Sequence, residues 1–259
     1  MDWQDLSGNS ILIPSQEPRA IVHFLGGAFV GTLPNLSYRW LLEQLGQQGY
    51  VIIATPFINT FDHITIARDV LNRFESILDR LKASGSIARE YLPIYGMGHS
   101  MGCKLHLLIG SLFNVDRAGN ILVSFNNYPA SRAIPFGEQL KIDRTLNLEF
   151  SPTPTETNDL ILKSYQTRRN LLVRFDNDDI DQTASLNPIL QQRFPEMVSI
   201  LTLPGTHLTP LSQDLKWQPG EIFTPLDAIG QWLKQEFSRD LIRLNKEVIR
   251  WLDPVSAIK

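Results

Sequence analysis

The sequence predicts an α/β fold: a mostly parallel central sheet with helices on both faces. Three observations carry that reading. Short apolar runs alternate with helical patterns of ten or more residues, the order that crossover units produce. A length of 259 residues, with 43% hydrophobic and 20% charged side chains, suits one large domain with a sizeable core. Most of the apolar runs stop at Gly or Pro, where a strand must turn.

The elements follow in order. Ser10 to Ile13 is a short strand closed by Pro14, and Ala20 to Leu25 is a β-branched and aromatic strand closed by Gly26-Gly27. Leu36, Trp40, Leu41 and Leu45 recur at helical spacing, so Pro34 to Gln48 reads as a helix ending near Gly49. Tyr50 to Ala54 is a buried strand stopped by Thr55-Pro56. Asp62 reads as an N-cap, followed by Ala67, Val70, Leu71, Phe74, Ile77, Leu78 and Leu81 on one helical face, with Gly85 as the stop. Leu92 to Tyr95 is the next strand, Met101 to about Phe113 a helix, and Asn120 to Phe125 a strand. After a break at 126–169 come strand Leu171 to Phe175, a helix around Leu186 to Phe194, strand Met197 to Leu203, and a C-terminal helical region. No repeat or low-complexity tract interrupts this order.

Composition excludes several classes. Lys plus Arg is 24 against Asp plus Glu 27, a net charge of −3, so no basic excess exists to neutralise a nucleic-acid backbone. The single cysteine, Cys103, allows neither an intrachain disulfide nor a cysteine-rich metal site. The opening MDWQDLSGNS lacks the basic and apolar regions of a secretory signal. No apolar run approaches the roughly 20 residues that span a bilayer. These features predict a soluble cytoplasmic protein. No His/Asp/Glu grouping has metal-ligand spacing, and no dinucleotide fingerprint is present, so no metal and no cofactor are expected.

In a parallel sheet, ligands bind beyond the carboxyl ends of the strands. The segment after Leu92 to Tyr95 is Gly96-Met97-Gly98-His99-Ser100-Met101-Gly102, a G-x-S-x-G pattern between strand and helix. A nucleophile on so sharp a turn takes a strained backbone, and its neighbours must be small. The turn would raise Ser100 Oγ above the sheet and bring the Met101 N–H to a helix N-terminus, where it can stabilise an oxyanion. His207, in Gly205-Thr206-His207-Leu208 after the last strand, is the candidate base. Strand Leu171 to Phe175 runs into Asp176, Asp178, Asp179 and Asp181, one of which should orient the imidazole. The others are turn residues or caps. The loop Gly26 to Gly31 is the source of a second oxyanion donor.

On these segments the chain resembles the α/β-hydrolase superfamily over nearly its whole length. More narrowly it looks like an uncharacterised hydrolase-like family of cyanobacteria and plant plastids. The matching segments are His23 to Gly31, Gly98 to His106, Asp178 to Thr183, and Leu203 to Leu211. The resemblance implies an eight-stranded, mostly parallel sheet and a Ser–Asp–His triad. Its commonest turn length after the acid-bearing strand points to Asp179, with Asp178 and Asp181 as alternatives. Many relatives carry His-Gly in the oxyanion loop where this chain has Leu25-Gly26, so Gly27, Ala28 and Phe29 are all candidate donors.

The break at 126–169 is 44 residues long and holds Pro129, Pro135, Pro152 and Pro154, far more than the usual loop of about 2–6 residues. In the superfamily this place commonly hosts a cap, giving a single domain, 1–259, with a cap or lid at about 126–169. Tyr128, Ile134, Phe136, Leu146, Leu148 and Phe150 are candidates to line an apolar pocket, as are Phe29, Phe57 and Phe61, or else they anchor the excursion. Tyr128, Phe136 and Phe29 are the candidate substrate contacts. The expected reaction is hydrolysis of a carboxylic ester or thioester with an apolar, lipid-like acyl or alkyl part. The alternative is a non-catalytic lipid-binding, pigment-binding or assembly protein on the same scaffold. His23 and His106 read as core residues, His99 as a bulky elbow position, and Cys103 as a small buried hydrophobe. Leu241, Leu244, Val248 and Leu252 form a stripe on the last helix, read as a face docked on the sheet rather than on a partner or membrane.

Overall fold

The computed structural model describes residues 1–28, 30–87, 91–129, 149–212 and 237–253. Eight strands form one sheet: β1 (Gln4–Leu6), β2 (Asn9–Leu12), β3 (Ala20–Leu25), β4 (Tyr50–Ala54), β5 (Ile94–His99), β6 (Gly119–Val123), β7 (Asn170–Phe175) and β8 (Val198–Leu203). Their spatial order is β1-β2-β4-β3-β5-β6-β7-β8. Strands β1 and β2 pair antiparallel at one edge, and β3 to β8 are mutually parallel. This is the mostly parallel sheet that the alternating pattern predicts.

Seven helices are described: α1 (Pro34–Ser37), α2 (Arg39–Gln47), α3 (His63–Ala83), α4 (Met101–Leu112), α5 (Pro154–Ser164), α6 (Thr183–Arg193) and α7 (Phe237–Leu252). Successive strand residues face opposite sides. Val22, Phe24 and Ile52 therefore join Leu41, Leu45 and Leu244 in one core, while Ile21, Leu25 and Val51 join Val70, Phe74 and Leu108 in another. Strands covered on both faces read as continuous apolar runs, which is why β3 and β4 stand out in the sequence. The stripe of α7, Leu241, Leu244, Val248 and Leu252, is buried in the first core. Burying such a side chain stabilises by about 1.5–3 kcal/mol.

Several boundaries differ from the sequence reading. The hairpin strand β1 was not foreseen; Ser7 and Gly8 make its two-residue turn with φ of 52° and 71°, and two such left-handed residues twist the hairpin correctly. Strand β5 runs on through Gly96 and Gly98 to His99, two glycines that weaken the strand signal. The single helix expected over 34–48 is split at Tyr38. Helix α6 begins at Thr183 and holds Pro188 inside it, which hid its first turn. Asp62 caps α3 as expected, accepting from Thr65 N at 3.0 Å.

Of the break at 126–169, residues 130–148 lie outside the described part, and with them Ile134, Phe136, Leu146 and Leu148. Its later portion forms α5, started by a Thr153–Glu156 capping box. Among the described residues, no helix is long and apolar enough to cross a membrane.

Because β3, β5, β7 and β8 are parallel, their carboxyl ends share one sheet edge. The segments Gly26–Ala28, Ser100–Met101, Asp176–Asp181 and Gly205–His207 are brought together there by topology alone.

Candidate active site

Ser100 stands between β5 and α4 with φ 55° and ψ −118°, a conformation costly for any residue with a Cβ. The flanking glycines make the turn possible. A Cβ on Gly98 would fall 2.5 Å from Cys103 N, and one on Gly102 would overlap the Leu25 carbonyl oxygen. Ser100 N donates to Val123 O at 2.9 Å, tying the turn to β6. Met101 opens α4, and its N–H has no partner among the described residues. It sits at the positive end of the helix dipole.

His207 Nδ1 lies 2.9 Å from Asp178 Oδ2. The Asp178 side chain is fully buried and His207 is 16% exposed. Since the carboxylate accepts, Nδ1–H donates, and Nε2 is left for the cavity. Burial alone would raise the Asp178 carboxyl, but the His207 hydrogen bond and charge outweigh it, helped by Ser124 and the Ile180 N–H. The net direction is downward, so Asp178 stays ionised.

The partner of His207 is therefore Asp178, not Asp179, to which the commonest turn length points. Asp179 is exposed. Asp181 Oδ1 accepts from Thr183 N at 2.6 Å at the start of α6, and burial pushes its carboxyl upward. Asp176 accepts from Gly205 N at 3.1 Å and so ties the β7 turn to the His207 loop. The crowded aspartates thus divide into one histidine partner, two loop anchors and one solvated side chain.

The β3 loop is held by a buried hydrogen-bond chain that the sequence reading missed. Gly27 N donates to Tyr38 Oη at 2.8 Å, Tyr38 Oη meets His99 Nδ1 at 2.8 Å, and His99 Nε2 meets the His207 carbonyl oxygen at 2.9 Å. Burial, reinforced by the neighbouring His207, lowers His99 to about 3, so the ring is neutral with one N–H. A carbonyl can only accept; hence Nε2–H donates to it, Nδ1 accepts, and the Tyr38 O–H donates. The Gly27 N–H is thereby engaged and is not free for an oxyanion. Of the three candidates in this loop, Ala28 keeps an N–H with no partner among the described residues. Phe29 lies outside them. Gly27 contributes room instead: a Cβ there would stand 3.5 Å from Ser100 Cβ.

These groups surround one cavity of about 610 Å³, whose wall includes Ala28, Ser100, Met101 and His207 together with Val30, Tyr128, Phe150, Ile180 and Leu208. Tyr128 is part of this wall, while Phe136 and Phe29 lie outside the described residues. Phe57 is packed in the core with α3, and Phe61 is 39% exposed. Burial lowers both His23 and His106, and each is hydrogen-bonded in the interior, to Thr55 Oγ1 and Met97 O at 3.2 Å. Cys103 is buried against the Gly98 and Val123 carbonyls. Among the described residues, no group of three or more His, Cys, Asp or Glu could hold a metal ion.

A family model described as "Protein of unknown function (DUF1350)" matches residues 2–254. The chain belongs to this family. No curated protein matches the DUF1350 chain in sequence. Among solved structures it is similar to a highly thermostable carboxyl esterase from Bacillus coagulans, at TM-score 0.57 and 12% identity, over 95% of this chain and 93% of that one. It is also similar to the fluorophosphonate-binding serine hydrolase FphF of Staphylococcus aureus, at TM-score 0.53 and 11% identity, over 77% and 85% of the two chains. A third is the thioesterase domain from the curacin biosynthetic pathway, at TM-score 0.50 and 14% identity, over 90% and 98%. At such identities the likeness concerns the fold, and this DUF1350 protein has the α/β-hydrolase fold.

Two further lining residues, His63 and Lys104, also escaped the sequence reading. Lys104 left a signal, being the one Lys, Arg, Asp or Glu in the mostly apolar run Met101 to Leu112. His63, the first residue of α3, left none.

Proposed function

We propose that this protein is a serine hydrolase of carboxylic esters or thioesters. His207 Nε2 takes the proton of Ser100 Oγ as the oxygen attacks the substrate carbonyl. The tetrahedral oxyanion is met by the Met101 and Ala28 N–H groups. His207 then passes its proton to the departing alcohol or thiol as the C–O or C–S bond breaks. A water, deprotonated by the same nitrogen, releases the acid from the acyl-enzyme. Asp178 keeps Nδ1 protonated and stabilises the imidazolium. The apolar wall of Phe150, Tyr128, Val30 and Leu208 supports a substrate with an apolar acyl or alkyl part. The segment 126–169 is proposed as the cap over it.

The observation that carries this reading is the His207–Asp178 pair facing, across one cavity, a serine on a left-handed strand-to-helix turn. Incubation with a fluorophosphonate probe tests it. Wild type should be labelled, Ser100→Ala not at all, and His207→Ala far more slowly. A folded wild type that reacts with neither a bulky nor a small fluorophosphonate would overturn the reading in favour of a binding protein.

A further inference from the structure

The cavity wall beyond Ser100 is not uniformly apolar. Lys104 is the fourth residue of α4, on the helix that Ser100 precedes. The residue is only 1% exposed, lines the cavity, and donates to the Pro152 carbonyl at 2.9 Å. An ammonium has three donors, so this bond occupies one. His63, 3% exposed, lines the same cavity with neither ring nitrogen hydrogen-bonded. Phe150 bridges the two: its ring centroid is 4.3 Å from that of His63 and 5.9 Å from Lys104 Nζ. Leaving a buried donor or acceptor unpaired is destabilising, and the core offers no packing gain that an apolar ring would not give equally.

The geometry points to a substrate subsite for a carboxylate, formed by the Lys104 ammonium and the His63 ring N–H, both beside the Phe150 ring. The inference rests on the hydrolase reading and sharpens its substrate class. The substrate is an ester or thioester whose apolar part ends, a few carbons from the scissile carbonyl, in a carboxylate. Lys104 is the only lysine or arginine among the described lining residues, which matches one negative charge. Glu149 and Glu156 also act on Lys104 and raise its affinity for its proton; their charge weighs more heavily against a dianion than against a single carboxylate. Burial outweighs them and brings Lys104 down to about 8, so the subsite is charged at neutral pH. Burial and the Lys104 charge lower His63 to about 3, leaving a neutral ring with a single N–H to donate.

Two esters of equal chain length decide the matter: 4-nitrophenyl pentanoate and the mono-4-nitrophenyl ester of glutaric acid. At pH 6.5, kcat/KM should favour the acidic ester by at least about tenfold, as a charged hydrogen bond supplies. In Lys104→Met the acidic-to-neutral ratio should fall towards one, and in His63→Phe it should fall part of the way. Far-UV dichroism of each variant checks that it is folded. A wild-type preference for the neutral ester, or a ratio unchanged in both folded variants, would overturn the subsite. A second arm is independent of catalysis. Ser100→Ala is titrated calorimetrically with monomethyl glutarate and with methyl pentanoate. Tighter binding of the acid, lost on adding Lys104→Met, supports the subsite even if no ester is turned over and no probe reacts. Equal binding of the two sinks it even if the enzyme is active.

Discussion

His99 Nε2–H donates to the main-chain carbonyl of His207 at 2.9 Å, across 108 residues of sequence. The residue before the proposed nucleophile thus fixes the height of the loop that carries the proposed base. Through Tyr38 the same ring also holds Gly27, the neighbour of Ala28, the proposed oxyanion donor. His99 and Tyr38 are positioning residues in this reading: they link the β3 loop, the Ser100 turn and the His207 loop, which carry the three proposed reacting groups.

Removal of the Tyr38 hydroxyl tests this. Tyr38→Phe leaves the Gly27 N–H and His99 Nδ1 unpaired and should cost about 1–3 kcal/mol in urea unfolding. Small misplacement of catalytic groups is expensive, so the fluorophosphonate labelling rate should fall by about 10- to 100-fold. A loss of stability with an unchanged labelling rate would reduce the chain to a structural prop.

The acid assignment separates two adjacent residues. Asp178→Asn removes the charge that faces His207 and offers its Nδ1 an NH2 donor, which favours the wrong tautomer, and should slow probe labelling by about 10³-fold or more. Asp179→Asn alters an exposed side chain and should change stability by no more than about 0.5 kcal/mol, with labelling intact. The reverse pattern in the two labelling rates would move the role to Asp179.

Acid sensitivity follows from the buried imidazoles. Of the five histidines, His23, His63, His99 and His106 are all lowered chiefly by burial, the last three to about 3. Unfolding frees them to titrate at about 6.5. Below that pH the unfolded chain binds more protons than the folded one, so stability is whole above it and is lost as pH falls towards the folded values. Each such histidine contributes up to about 1.4 kcal/mol per pH unit. The lowered Asp178 adds to the loss at the acid end of this range. Urea midpoints measured at pH 7 and pH 5 should differ markedly, with the lower value at pH 5. Equal midpoints would contradict the burial of these rings as neutral groups.

The elbow glycines are steric requirements. Gly102→Ala puts a methyl group onto the Leu25 carbonyl, and Gly98→Ala drives one into the α4 backbone. Backbone cannot yield as a side-chain tip does, so each should cost more than about 3 kcal/mol or abolish soluble expression. Gly27→Ala meets only contacts of 3.4 Å and more and should fold. A thermal melt of the three variants distinguishes these outcomes.

Much of the architecture was legible because local pattern and tertiary role coincide. Strands β3 and β4 are buried on both faces, so their sequence is apolar apart from the buried His23. The α7 stripe meets the sheet as its spacing implies. The hairpin strand β1 left no such trace: its Gln4 and Asp5 are exposed, and an edge strand in water is under little pressure to look like one.

The sequence by itself determined that a serine would stand on a glycine-flanked turn, that a histidine would follow the last strand, and that an aspartate would lie between them in chain order. Those are local demands of backbone geometry and strand sequence, written within a few residues each. Only the tertiary structure decided among neighbours. Asp178 rather than Asp179 reaches His207, Tyr38 takes the Gly27 N–H, and Lys104 and His63 meet around Phe150. Each of these depends on a distance between segments far apart in the chain, and a one-residue shift along a turn swings a carboxylate from a buried imidazole into water.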